Sequence, residues 1–294
     1  MSNVINTNVK ALMASNALNK NGRVQRDVME SLSTGKRINR ASDNAAGLSI
    51  REVMTAQING LNAAVKNAND SISMLQTADG ALNETSSMLQ RMRELAVLSV
   101  NDTYSSTQKT AMATEYNQLS SEIDRIAGQT QWNGMNILTG SGGLVNGTAA
   151  NSVGQFTFQV GANTAQVISV AILNMAIASG TQTTPASTTL GGLSGTSVAN
   201  AAGSTLAIAA LDVALTNLNT QRSTIGAMVN RLTHAVDNLT NVAQNASDSR
   251  SKVEDTDYAA ATSELARTQI IAQAATAILA QANQQPQSVL SLLK

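Results

Sequence analysis

Apolar side chains recur along one part of the sequence at alternating steps of four and three residues. The repeat runs through Met54, Ile58, Leu61, Val65, Ala68, Ile72, Leu75 and Leu82, with Asp79 at one position. This heptad spacing gives a helix one apolar seam. After a phase slip at Asp79–Gly80 the seam continues to Ser99. The spacing predicts a helix from about Asn44 to Val100, ~85 Å long at a rise of about 1.5 Å per residue, with Ser42 or Asp43 as its N-cap.

A seam of this length needs partner helices, and two other segments supply them. Ser105 and Gln108 form a capping-box pattern, which predicts a second helix that ends at Gly128. A third seam runs through Leu211, Leu215, Leu218, Arg222, Ile225, Val229, Leu232, Val236, Leu239, Ala243 and Ala246. Aromatic residues make up only 2% of the chain, so its core must be thin. We therefore predict a mainly α fold, a long antiparallel coiled coil or helical bundle built from both chain ends.

The two ends of the chain carry opposite charges. Residues 1–43 have a net charge of +4 and residues 254–294 a net charge of −2. Both segments also have helical apolar patterns, which consist of Ile5, Val9 and Leu12 at one end and Ile271, Ala275, Ile278 and Ala282 at the other. We therefore expect them to pair as a separate terminal coiled-coil domain beside a helical domain of residues 44–253. The terminal seams are rich in alanine. An isolated pair of such helices is marginal in water, and we expect it to stay unfolded until further copies pack around it.

The centre of the sequence has a different composition. Charged residues are missing between Arg125 and Asp212, where Gly, Ser, Thr and Asn are frequent. This pattern indicates an insertion with a variable loop at about 141–205, of which 180–203 has the composition of a tolerant surface loop. Within the insertion, Phe156, Phe158 and Val160 alternate and a β-branched run follows a turn. We predict a small β-hairpin at about 155–172.

Several function classes are disfavoured by composition. The chain has no cysteine, one histidine and a net charge of zero, which argues against thiolate catalysis, histidine-rich metal sites and nucleic-acid binding. We expect no enzyme activity, no metal and no cofactor. No apolar run reaches the ~20 residues of a membrane span, and the N-terminal sequence lacks the pattern of a secretory signal peptide. We therefore expect no membrane partner and export by another route.

Several sequence blocks resemble bacterial flagellin, the subunit of the flagellar filament. They are INTNVKALMASNAL near the N-terminus, LSTGKRINRASDNAAGLSI, LQTADGAL, QRMRELAV, QTQWNGMNIL, FQVGAN and the ending LAQANQQPQSVLSLLK. The resemblance covers roughly residues 1–140 and 205–294. It departs at Asp43-Asn44, where the family commonly has two acids, and this affects a detail of helix capping. The nearest alternative is a hook–filament junction protein, which also builds its coiled coil from both ends of the chain.

The resemblance implies a function for the whole chain. Flagellins are exported unfolded through the flagellar secretion apparatus, with an export chaperone bound to the C-terminal segment. They polymerise beneath a filament cap, beyond the hook-associated proteins, into an extracellular filament. The family's terminal segments form an inner tube and its helical core surrounds that tube, which agrees with the domains 1–43 with 254–294 and 44–253. The short insertion here implies a minimal member of the family.

The resemblance also implies a receptor site. In the family the block from Gln90 to Val97 contacts the vertebrate Toll-like receptor that senses flagellin, and the residues implied here are Gln90, Arg91, Arg93, Glu94, Leu95 and Glu115. An alternative is that these residues serve only filament packing. Met88, Arg91, Leu95 and Leu98 form a stripe beside the Leu89, Met92 and Ala96 seam, so we expect them to lie on the surface and contact a partner. His234 is expected on a side of its helix, without a catalytic role.

Overall fold

A computed structural model describes residues 8–140, 153–177 and 190–291. In this part of the chain the helices are α1 Val9–Thr34, α2 Ala45–Val100, α3 Ser106–Gln129, α4 Ala201–Glu254 and α5 Tyr258–Ser291. The strands are β1 Gln131–Trp132, β2 Met135–Asn136, β3 Val153–Gln159 and β4 Val167–Leu173, followed by a short 3-10 turn, Gly191–Leu193. The predicted mainly α fold with a small β region is confirmed.

The chain folds as two compact units. One contains residues up to Ile58 together with those from Gln244 onward, and the other contains residues 59–243. The first unit holds α1 and α5, the first turns of α2 and the last turns of α4. The second unit holds the rest of α2 and α4 with α3 and the strands. The predicted domain boundaries at residues 43 and 254 stay a prediction.

Local capping signals determine where two helices begin. At the start of α3 the Ser105 side chain accepts a hydrogen bond from the Gln108 amide, and the Gln108 side chain accepts one from the Ser105 amide. The predicted capping box is therefore confirmed. The predicted cap of α2 was wrong, because Asn44 Oδ1 accepts the Gly47 amide at 2.9 Å. Asp43 instead accepts the Asn39 and Arg40 amides in the preceding turn.

The core of the second unit lies where α2, α3 and α4 meet. Fully buried side chains come from all three helices and include Leu75, Leu82, Leu89, Tyr116, Ile123, Leu218, Ile225 and Leu232. The predicted three-helix packing is confirmed. By length and composition alone α4 could also cross a membrane. However, its Leu211, Ala214 and Leu218 are buried in this core, as expected of a core helix.

Strands β3 and β4 pair antiparallel, from Val153 opposite Leu173 to Gln159 opposite Val167. Ile168, Val170 and Ile172 alternate with more exposed neighbours and face the core. The predicted hairpin is confirmed. Its turn lies against α2, where a Cβ on Gly60 would come 2.9 Å from the Ala162 Cβ. Glycine at position 60 therefore allows the close approach of the turn.

A second, shorter hairpin was not predicted. Strands β1 and β2 pair through a two-residue turn at Asn133 and Gly134, both of which have positive φ angles. These angles are those of a type I′ turn, for which Asn-Gly is a strong sequence signal. The hairpin leads into Ile137 and Leu138, both of which are buried in the core.

The predicted variable loop at 141–205 was wrong at its C-terminal end. Residues 141–152 and 178–189 lie outside the described part of the chain. The segment 190–200 buries Leu190, Leu193 and Val198 in the core, and α4 already begins at Ala201. Val198 also accepts a hydrogen bond from the Ser99 hydroxyl. Low charge and frequent Gly and Ser resemble a surface loop, but the leucines of this segment close the end of the bundle.

The predicted pairing of the chain ends is confirmed, since α1 and α5 pack against each other. Asn8 Nδ2 donates to the Ala282 carbonyl at 2.8 Å and Asn21 Nδ2 donates to the Thr268 carbonyl at 2.7 Å. These contacts set the helices antiparallel. Asn21 and Thr268 are buried in the first unit. Asparagine amides therefore contribute to this pairing, and the contribution of opposite charges stays a prediction.

We expect Leu232→Asp to unfold the three-helix core. Leu232 is fully buried, and an unpaired buried carboxylate costs several kcal/mol against a total stability of about 5–15 kcal/mol. Thermal melting followed by circular dichroism measures the effect. Thr233→Asp is the matched control, because Thr233 is exposed on the next position of the same helix. Equal melting midpoints for the two variants would contradict the assignment of the seam.

We also expect Leu193→Ala to lower the free energy of unfolding by about 2–5 kcal/mol, because a buried leucine is replaced by a cavity. Leu193 is 3% exposed within a segment of loop-like composition. Chemical denaturation of the monomer measures the change. Ser194→Ala, at an exposed neighbouring position, should leave stability almost unchanged. A tolerant response to Leu193→Ala would mean that this segment is a surface loop after all.

Candidate functional site

Five of the six predicted site residues come together on the exposed face of adjacent turns of α2 and on α3. We call Gln90, Arg91, Arg93, Glu94 and Glu115 the Arg91 surface, since all five side chains are exposed. Leu95, the sixth, is not on this surface. The antiparallel packing of α2 and α3 brings Glu115 beside Arg91 although the two lie 24 residues apart in sequence.

Arg91 is the centre of the hydrogen bonding on this surface. Its Nε donates to Glu115 Oε1 at 2.8 Å, and an Nη donates to Glu94 Oε2 at 2.7 Å. Hydrogen bonds to Glu115 and Glu94 raise the pKa of the Arg91 guanidinium above its ordinary value. Because all three side chains are about half exposed, these ion pairs are screened by solvent and contribute little to stability. They do fix the position of a planar donor group on the surface.

Arg93 faces α4 instead of α3. Its Nε lies 2.6 Å from Asp212 Oδ1, and this hydrogen bond raises the pKa of Arg93. Asp212 is the first charged residue after the uncharged insertion. Sequence reasoning did not assign it to the site, because its contact with Arg93 spans 119 residues. The Arg91 surface is therefore continued onto the third helix of the bundle.

The expectation that Leu95 lies on the outer stripe was wrong. Leu95 is 2% exposed and belongs to the main core with Met92 and Ala96. The reason is that α2 packs against both α3 and α4, so its buried face is wider than the two positions per heptad of a simple seam. Met88 is half-buried, while Leu98 is exposed as expected.

The chemistry of this surface suits binding to another protein. Among the described residues, none of the Asp, Glu and His side chains form a group that could hold a metal ion. His234 is exposed on α4. Exposed guanidinium and carboxylate groups in fixed positions can exchange their intramolecular partners for those of a second protein.

A different kind of surface lies on the terminal helices. Large apolar side chains of α1 and α5 remain exposed although the two helices pack together. These are Val9, Leu12, Met13, Val24, Met29, Tyr258, Ile270, Ile271 and Ile278. Met13 is 68% exposed and Ile270 is 65% exposed. We call this set the terminal apolar surface. Sequence reasoning expected a need for neighbouring copies here. It was wrong to assign Val9, Leu12, Ile271 and Ile278 to the pairing of the two chain ends, because these side chains are exposed.

Comparison with known proteins identifies the family. The family described as bacterial flagellin N-terminal helical region matches residues 5–142, and bacterial flagellin C-terminal helical region matches residues 208–293. Flagellin from Bacillus subtilis (strain 168) is 41% identical, and the alignment covers 99% of each chain. The flagellar filament 33 kDa core protein of Treponema phagedenis is also 41% identical, covering 99% of this chain and 100% of that protein.

Among solved structures, the crystal structure of Bacillus cereus flagellin has 30% sequence identity and a TM-score of 0.45, and the match covers 59% of this chain and 88% of that one. The two family regions together match most of the sequence, and the curated relatives match along their whole length. The chain belongs to the bacterial flagellin family.

Proposed function

We propose that the chain is a structural subunit that polymerises into the bacterial flagellar filament and has no enzyme activity. The observation that carries this proposal is the terminal apolar surface. A soluble monomer rarely keeps so many large apolar side chains in contact with water, and such surfaces mark contacts with other proteins. A second copy of the same chain supplies the matching apolar faces. The names of the relatives, flagellin and flagellar filament core protein, support this occupant.

The terminal segments 1–43 and 254–294 form the inner part of the filament in this proposal, and residues 44–253 form the helical outer core. The α1–α5 pair is joined by few large buried side chains, with Asn21, Thr268 and Ala282 among its buried residues. Ordering each residue costs about 1–2 kcal/mol. We therefore expect the terminal helices to be largely unfolded in the dilute monomer and helical in the polymer, where neighbouring copies cover their apolar faces.

Family membership supports the export and assembly partners in this proposal. The chain is secreted through the flagellar export apparatus, with an export chaperone on its C-terminal segment, and adds to the filament beneath the cap and beyond the hook-associated proteins. Its location is the extracellular filament of the bacterial flagellum. Marginal terminal helices support this route, because a chain with unfolded ends enters a narrow channel more readily than a fully folded one.

Negative-stain electron microscopy separates the filament subunit from its nearest alternative. Purified protein is mixed with short filament seeds, and the products are measured after incubation. Long helical tubes support the filament subunit. Short caps or rings that stop growing would favour the hook–filament junction protein, which shares the two-ended helical plan.

We expect Leu12→Gln and Ile278→Gln to block elongation while leaving the monomer unchanged. Both side chains are more than half exposed in the single chain, so glutamine removes apolar contact between copies without opening a core. Light scattering from wild-type seeds measures elongation, and circular dichroism measures the monomer. Gln281→Ala, at an exposed polar position of the same helix α5, is the control and should elongate normally. Normal elongation of both apolar variants would remove the terminal apolar surface from the assembly contacts.

We further propose that the Arg91 surface binds the vertebrate Toll-like receptor that senses flagellin. Its exposed groups support this role, since Gln90, Arg91, Glu94 and Glu115 offer donors and acceptors in fixed positions. Leu95 enters the proposal in a changed role, because as a core residue it holds α2 in place and does not itself reach a partner. The same surface contacts neighbouring subunits in the filament, so intact filaments should signal less than monomers.

Arg91→Ala and Leu95→Ala should behave differently in a receptor reporter assay. Arg91→Ala should reduce signalling by the monomer and change its stability by no more than about 0.5 kcal/mol. Leu95→Ala should lower stability by about 2–5 kcal/mol, so that its loss of signalling follows its loss of folded protein. Arg125→Ala is the matched control, because Arg125 forms an equally exposed ion pair on α3, with Glu122. If Arg91→Ala signals as the wild type does, the surface serves filament packing alone.

A further inference from the structure

The segment that follows α1 pairs with the segment between α4 and α5, within the first unit. Lys36 and Asp255 form an antiparallel β-bridge outside the named strands. The Arg37 amide donates to the Glu254 carbonyl at 2.6 Å, and the Thr256 amide donates to the Gly35 carbonyl at 2.9 Å. We call residues 35–39 with 253–256 the clasp. It connects residues more than 200 positions apart through a β-bridge and backbone hydrogen bonds at the C-terminal end of α4.

A buried carboxylate lies at the centre of the clasp. The Glu254 side chain is only 6% exposed, and its Oε1 lies 2.5 Å from Lys36 Nζ and 3.6 Å from an Arg51 Nη. On its other side Arg250 Nε lies 4.0 Å from Oε2. Arg51 also donates to the Ile38 carbonyl at 3.3 Å. One acidic side chain therefore faces cations from α2, from α4 and from the segment after α1.

The backbone of the clasp requires glycine at one position. Gly35 has a φ of +72° directly after α1, a conformation that is strained for residues with a Cβ. A Cβ at this position would lie 3.2 Å from the Tyr258 hydroxyl at the start of α5. The chain therefore turns at the end of α1 in a way that places it against the first residue of α5.

The clasp and the terminal helices share one antiparallel register. Gly35 lies opposite Thr256, Asn21 bonds to Thr268 and Asn8 bonds to Ala282. Because the clasp begins at Gly35, directly after α1, and ends at Thr256, two residues before Tyr258, any slip of α1 along α5 must break its two backbone hydrogen bonds. A thin alanine-rich seam resists such slippage weakly by itself.

We propose that Glu254 is a positioning residue, whose buried ion pairs hold the clasp folded in the monomer and so fix the register in which α1 and α5 later pair. A buried ion pair adds little net stability, because its charges lose water when they are buried. It does favour one specific arrangement of the chain, because any other arrangement leaves a charge without its partner. The last step, pairing during assembly, rests on the proposed filament function. The folded clasp in the monomer does not.

Hydrogen exchange on the dilute monomer tests the first step. The Arg37 and Thr256 amides should be protected, whereas the amides of α1 and α5 exchange rapidly. In Glu254→Gln these two amides should exchange faster by about tenfold or more, since their protection reports local opening, and the melting midpoint of the three-helix core should not change. Glu52→Gln is the matched control, because Glu52 also pairs with Arg51 but is 63% exposed.

A second variant opens the clasp without changing any charge. Gly35→Ala strains the turn and crowds Tyr258, so it should give the same local loss of protection. Both variants should elongate more slowly than Glu52→Gln from wild-type seeds. If wild-type protein does not elongate at all, the filament function fails, and the exchange of Arg37 and Thr256 still decides the role of Glu254. Unprotected amides in the wild-type monomer, or unchanged exchange in Glu254→Gln, would overturn the proposal.

Discussion

The rest of the structure depends on the burial of the apolar face of α2, which is built from aliphatic and small side chains. This helix has 56 residues and no aromatic side chain on that face, so each turn contributes little and the helix must find partners along its length. In the second unit α3 and α4 supply them, and Leu75, Leu82 and Leu89 are completely buried between the three helices. Small side chains such as Ala68, Ala78 and Ala96 allow the helices to approach closely.

The terminal helices α1 and α5 also pack along an apolar face, but each has one partner helix where α2 has two. α1 and α5 cover each other on one side, and Asn21 and Thr268 fill part of the contact where larger cores place leucine. Buried amides that are hydrogen-bonded cost little, but they contribute less than apolar burial of the same area. Large apolar side chains such as Met13 and Ile270 remain exposed on this pair. The three-helix core therefore buries more apolar surface than the terminal pair, which agrees with the proposed role of the terminal pair in assembly.

Much of the fold could be predicted from the sequence because its signals are local. The Ser105 capping box, the alternation of Phe156 and Phe158 in β3 and the heptad spacing each act within a few residues, and the structure contains all three. Errors arose where a residue's surroundings depend on distant segments. Leu95 is buried because α2 packs against two helices and not one, and Leu193 is buried because its segment closes the end of the bundle. Neither fact has a periodic signal. The Asn133-Gly134 turn, in contrast, does have a local sequence signal.

The same reasoning applies to the candidate site. Helical spacing placed Arg91 and Glu94 on one face, but the contacts of Arg93 with Asp212 and of Arg91 with Glu115 exist only after the helices pack.

The low fraction of charged residues, 13% of the chain, fits a subunit whose charged side chains are held in ion pairs. A charge that becomes buried between copies must lose its water, at a cost of several kcal/mol unless it is paired. A subunit that buries much of its surface in a polymer therefore favours Asn, Gln, Ser and Thr outside, and concentrates its charges in pairs such as Arg91–Glu115 and Lys36–Glu254.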